Sequence, residues 1–145
     1  MNIFLDANVL ISVVNQEYPL FTYSSRILSL ADNKKHKVYT SPLCLAITYY
    51  FSEKKSGAKL AGQKMKVLSE KLLITTLGSE CIKRTVQNPK IENFEDGMEY
   101  YSAIDSACSL IITENLEDFY FSDVDITDCE GFFKYHLKPQ TAQKN

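Results

Sequence analysis

The sequence predicts an open α/β fold, a three-layer α/β/α sandwich around a central, mostly parallel sheet. Three observations point to it. Residues 2–5, NIFL, form a short apolar run of strand type that stops at Asp6. Short runs of the same kind recur at 37–40, 72–75, 110–113 and 124–126. Helical patterns stand between most of them, as the crossover connections of a parallel sheet require. With 145 residues, 45% of them apolar, the chain can bury one real core and leaves little room for a second. Residues 1–135 make up that domain, and 136–145 form a polar tail containing Pro139.

The elements follow in order. After Asp6, residues 7–14 carry Val9, Leu10, Val13 and Val14 at helical spacing. Thr22 caps a second helix over 23–33, and a charged turn leads into the strand 37–40. Ser41-Pro42 opens a third helix with a hydroxyl cap and a first-turn proline. Its first half is apolar on almost every side, so it is expected to be buried, and Gly57 punctuates it. Residues 58–69 place Leu60, Ala61, Met65 and Leu68 on one helical face and lysines on the other. A strand at 72–75 and a short helix at 79–86 come next. Asn93 caps a helix with a stripe of Met98, Tyr101, Ile104 and Cys108, and Gly97 inside it implies a close approach by backbone or ligand. Residues 119–122 read as a loop. Near the end, Thr127 and Glu130 have the spacing of a capping box ahead of Phe132 and Phe133.

Composition excludes several classes. No apolar run reaches the length of a membrane span and no signal pattern is present, so a soluble, cytoplasmic protein is expected. Cys44, Cys81, Cys108 and Cys129 are far apart with no CxxC pair and read as reduced core residues; two histidines are too few for a His-rich metal site. No glycine-rich phosphate loop occurs, which argues against nucleotide hydrolysis. The net charge of -2 hides an asymmetry: eight lysines lie between 34 and 66, whereas twelve of the 18 acids lie between 92 and 130. That pattern suits a basic rim beside an acidic, cation-binding pocket, and solvated helix faces explain it equally well.

Three acids converge on one edge of the predicted sheet. Asp6 ends the first strand, Asp96 lies in the first turn of the helix before the fourth strand, and Asp118 lies just after that strand. Each alone reads as a cap or a loop acid. Together they repel unless a cation holds them, and oxygen donors suit Mg2+ or Mn2+, ions that can activate water against a phosphodiester. Glu95, Glu99 and Glu114 are expected to face solvent.

Three stretches then resemble one family, the PIN-domain nucleases, of which VapC-like toxins are a large group. FLDANVLIS at 4–12 is similar to its first motif, FEDGMEYYSA at 94–103 to its later helix motif, and IITENLEDF at 111–119 to its closing motif. The resemblance, spanning residues 2–133, implies Asp6, Asp96 and Asp118 as metal-binding acids, with Asn8 in support and Thr113 and Asn115 as polar partners that orient water or phosphate. It implies a metal-dependent endoribonuclease acting on RNA, an antitoxin partner that covers the pocket, and a homodimer. One departure stands out. The family's second acid, a glutamate in the helix opened by Ser41-Pro42, corresponds here to Ile47. Thr48 brings no charge, Glu53 lies about 9 Å further along the axis, and compensation would have to come from Glu95 or Asp105. The alternative function is therefore a catalytically weak module that binds RNA or protein, and a third reading gives the tyrosine pairs 49–50 and 100–101 an assembly role.

Overall fold

The computed structural model describes residues 1–137, so the tail assigned to 136–145 falls almost wholly outside the described residues. Strands β1 (Asn2–Leu5), β2 (Lys37–Thr40), β3 (Leu73–Ile74), β4 (Leu110–Ile112) and β5 (Asp125–Thr127) form one sheet in the order β3-β2-β1-β4-β5. Every pairing is parallel. β1 is central, and Ile3, Phe4 and Leu5 are fully buried, as a strand covered on both faces must be. β4 beside it is equally apolar, in register Ile3–Leu110, Phe4–Ile111 and Leu5–Ile112. Helices cover both faces, giving the expected three-layer sandwich.

Helices α1 (Ala7–Val14), α2 (Phe21–Ser29), α3 (Pro42–Ser56), α4 (Ala58–Lys71), α5 (Ser79–Gln87) and α6 (Phe94–Asp105) lie close to the predicted positions. α2 starts earlier than expected, with Leu20 at its cap in place of Thr22, and passes into a 3-10 turn at Leu30–Asp32. Gly57, at φ +84°, ends α3 and begins α4, a backbone state that costs glycine little. A further 3-10 turn, Leu116–Phe119, occupies the loop after β4. The predicted capping box at Thr127 is displaced by one residue: Thr127 belongs to β5, and Asp128 caps α7 (Cys129–Gly131) by accepting from Gly131 N at 2.6 Å.

Two expectations about burial are corrected. α3 does not bury its apolar residues. Its inward line is Cys44, Thr48 and Ser52, one per turn, while Tyr50 and Phe51 are exposed. Small side chains let α3 approach α1 closely, and the larger Leu45 and Ile47 pack only half-buried against the core beside that line. On α6 the buried residues are Gly97, Glu99, Tyr100, Ser102 and Ala103, so the inward face is rotated from the Met98–Tyr101–Ile104 stripe, whose members are half-buried. Gly97 does mark a close approach, but to α5 and the loop behind it: a Cβ there would stand 2.5 Å from Thr85 Cγ2 and 2.8 Å from Ile91 Cγ2. Part of the lysine surplus is also structural, since Lys55 and Lys64 donate to the carbonyls of Asn15 and Val14 at the end of α1. The four cysteines are free and buried, as expected.

Candidate metal centre

The strand order creates the site. From β1 the chain runs out to β2 and β3 on one side, and from β4 it runs to β5 on the other. The connections leaving β1 and β4 therefore diverge, and a crevice opens at the carboxyl ends of those two strands. Asp6 and Thr113, the residues that follow them, stand on its floor.

Asp6 extends the ladder by one bond, its N–H donating to Ile112 O at 3.0 Å. One carboxylate oxygen, Oδ1, accepts from Ala7 N at 2.7 Å and caps α1. The other, Oδ2, accepts from Thr113 Oγ1 at 2.7 Å and from Asn8 Nδ2 at 3.4 Å. Thr113 Oγ1 in turn accepts from Asn8 Nδ2 and from Asn115 N, each at 3.1 Å. One buried hydroxyl thus uses its proton and both lone pairs. Asn8 Oδ1 closes the network by accepting from Glu114 N at 3.1 Å. Capping and site formation are the same act here: Asp6 is held rigidly because it caps.

α3 and α6 supply the walls. Ser41 Oγ accepts from Cys44 N at 3.0 Å and starts α3, which sets Cys44 Sγ 3.9 Å from Asp6 Oδ1. Asn93 Oδ1 accepts from Asp96 N at 3.0 Å and starts α6. Glu99 follows Asp96 by three residues on the same side of that helix and is 1% exposed. Asp6, Cys44 and Glu99 offer ligand atoms that all lie within 4.8 Å of one another. Glu99 Oε2 has no hydrogen-bond partner among the described residues. Further out, Asp96 is half-buried, and Asp118 is exposed on a concave surface it shares with Glu114, Asn115, Leu116 and Glu117.

The electrostatics follow from this crowding. Asp96 is pushed up to about 7, first by burial and then by the charges of Asp118, Asp6 and Glu95. Glu99 stands well above the ordinary carboxylate range, through burial first and then the Asp6 charge. The Cys44 thiol is raised well above its usual value by burial and by Glu99 and Asp6. Without a cation, protons hold this cluster together. A divalent ion fits it on chemical grounds, because an orphaned buried carboxylate oxygen and mutually repelling acids both lose their cost when a cation joins them.

Glu99 corrects the expectation that it faces solvent; its spacing from Asp96 was the available signal. Glu95 is exposed as expected. Ile47, at the departure, is half-buried against the core, and what α3 brings to the cluster is the Cys44 thiol, not a carboxylate. Thr48 spends its hydroxyl on Cys44 O at 2.7 Å. Glu53 is exposed, and Asp105 is paired with Arg84 at 2.5 Å, so neither joins the cluster.

The chain belongs to the PIN-domain family, whose model matches residues 2–117. Its fold is similar to that of solved VapC and VapBC structures. The structure is similar to VapBC2 from Rickettsia felis bound to a DNA fragment from its promoter, with a TM-score of 0.66 at 18% identity, covering 88% of this chain and 98% of the other. It is similar to Mycobacterium tuberculosis VapC20, described as a Sarcin-Ricin loop cleaving toxin (TM-score 0.60, 16% identity, 75% and 86% covered). It is also similar to VapBC-1 from nontypeable Haemophilus influenzae (TM-score 0.64, 15% identity, 90% and 99% covered). No curated protein sequence matches the chain significantly. No helix among the described residues is long and apolar enough to cross a membrane.

Proposed function

We propose that this chain is a toxin-type PIN protein that binds a divalent ion and RNA in its acidic cleft and cleaves RNA only weakly. The observation that carries the reading is on α3: this helix brings the Cys44 thiol and no carboxylate to the cluster, and the half-buried Ile47 occupies the position where the family resemblance implies a glutamate. Asp6, Asp96 and Asp118, with Glu99 behind them, would hold the ion. When bound, Mg2+ or Mn2+ supplies an activated water and stabilises charge developing on a phosphodiester. One carboxylate fewer weakens that hold, and with it the chemistry.

The chain's own residues have separable tasks in this reading. Thr113 and Asn8 fix Asp6 by donating to Oδ2, so its free lone pairs point in one direction. Asp96, raised to about 7, is about half protonated at neutral pH, and a bound cation displaces that proton. Asn115 and Asp118 sit on the exposed rim, where a phosphate or its water shell meets the cleft. RNA is the polyanion proposed here because the family resemblance implies an RNA substrate and VapC20, which shares the fold, is described as a Sarcin-Ricin loop cleaving toxin. A protein partner of the antitoxin type, inserting chain into the cleft, and a homodimer are further parts of the proposal.

A second reading, a fully competent metal-dependent endoribonuclease, is favoured by the mutual influence of Asp96, Asp118 and Asp6. Cleavage of a structured RNA in Mn2+, measured under single-turnover conditions, separates the two. Slow cleavage by the wild type that Ile47→Glu accelerates is the expected result. Rapid multiple turnover by the wild type, abolished in folded Asp6→Ala, establishes the second reading instead.

A further inference from the structure

We infer that Cys44 is itself a metal ligand and that the inner cluster Asp6–Cys44–Glu99 selects a borderline divalent ion of the zinc class over Mg2+. This deepens the proposed function, resting on its claim that the cleft holds a cation, and adds which cation the inner site prefers.

Geometry comes first. The three ligand atoms already lie within 4.8 Å of one another, with Cys44 Sγ 3.9 Å from Asp6 Oδ1. A tetrahedral ion about 2.3 Å from sulfur and about 2.0 Å from oxygen sets those two atoms about 3.5 Å apart. A contraction of about 0.4 Å therefore brings that pair to ligand spacing, and the Glu99 carboxylate, within 4.8 Å of both, completes the set by a shift of at most about 1.5 Å. Glu99 Oε2 is an independent pointer, since it is a buried acceptor in that cluster with no partner among the described residues.

The donor set and its surroundings then choose the ion. Thiolate sulfur favours zinc-class ions and is a poor ligand for magnesium. Magnesium keeps several waters in octahedral geometry, which ligands this buried disfavour: Cys44 is 0%, Glu99 1% and Asp6 7% exposed. A four-coordinate ion needs only one more ligand than the cluster provides. Cys44 also lies in the first turn of α3, a helix of 15 residues, where the free N–H groups favour a thiolate once the proton has left. Ligation replaces the thiol proton, which passes to solvent, by a sulfur–metal bond.

Reduced, metal-free full-length protein titrated with Co2+, followed by absorption in excess Mg2+, tests the assignment. The expected result is a near-ultraviolet sulfur-to-cobalt charge-transfer band saturating at one equivalent, lost in Cys44→Ser and retained in Cys81→Ser. Glu99→Gln, close in size and shape, should weaken Co2+ binding about tenfold or more, with circular dichroism showing an unchanged fold. The wild-type band and Glu99→Gln carry the test even if Cys44→Ser fails to fold. A band that survives in Cys44→Ser overturns the inference. Co2+ binding without any band, abolished by Asp6→Asn, overturns thiol ligation while leaving the oxygen-donor cleft intact; absence of Co2+ binding overturns the inner site, and Mn2+-dependent RNA binding then reads the cleft separately.

Discussion

Replacing Thr113 by valine removes one hydroxyl and almost no volume, so its cost isolates the network that holds Asp6. The hydroxyl donates to a buried carboxylate at 2.7 Å, a class of bond worth about 1.5–3 kcal/mol. Asn8 Nδ2 keeps only its 3.4 Å contact with Asp6 Oδ2, and Asn115 N, on the exposed loop, can turn to water. No cavity term arises, because valine fills the threonine volume. A loss of about 2–3 kcal/mol follows, or a fall in Tm of about 4–12 °C for a domain of this size. Urea unfolding of metal-free protein reads it directly, with Thr113→Ser, which keeps the hydroxyl and gives up a methyl, losing only about 1 kcal/mol. A valine variant within about 0.5 kcal/mol of wild type would show that Asp6 is held by its cap alone.

Other perturbations test the remaining parts. Asp96 binds its proton more tightly folded than unfolded, so the folded state carries the excess protons between about 3.9 and about 7. Metal-free stability therefore falls as pH rises through that window, and Asp96→Asn makes the decline shallower; equal slopes of urea midpoint against pH in both proteins would refute the cause. Glu99 acts with the same sign, so Glu99→Gln leaves metal-free stability at pH 7 unchanged or higher, and a large drop there would mean that the folded protein depends on its charge. Gly97→Ala drives a Cβ into Thr85 and Ile91 and costs about 1–3 kcal/mol by denaturant unfolding. Unchanged stability in that variant would mean that α5 yields freely.

The strands and the crossover pattern were legible because a buried parallel strand must be apolar throughout, and β1 and β4 are. The position of Asp6 was legible because it follows β1, whose carboxyl end topology sets beside that of β4; Asp96 and Asp118 were read from the same edge and lie further out than the Asp6–Cys44–Glu99 cluster. Cys44 and Glu99 were not. A cysteine among apolar residues reads as core, and a glutamate on a charged helix reads as solvated; only the tertiary fold sets either beside Asp6. The burial of α3 misled for the same reason. Its apolar residues suggested an inward face, yet the close packing of α1 against α3 selects the small line of Cys44, Thr48 and Ser52.

The central claim is that the cleft holds RNA through a divalent ion without cutting it efficiently. Fluorescence anisotropy of a labelled RNA hairpin, with and without Mn2+, for wild type beside Asp96→Asn, tests it most directly when the same samples are run on a denaturing gel. Mn2+-dependent binding that weakens in the variant is the expected result, with most of the RNA recovered intact. Binding indifferent to both Mn2+ and Asp96→Asn, or RNA cut to completion by catalytic amounts of wild type, would contradict it.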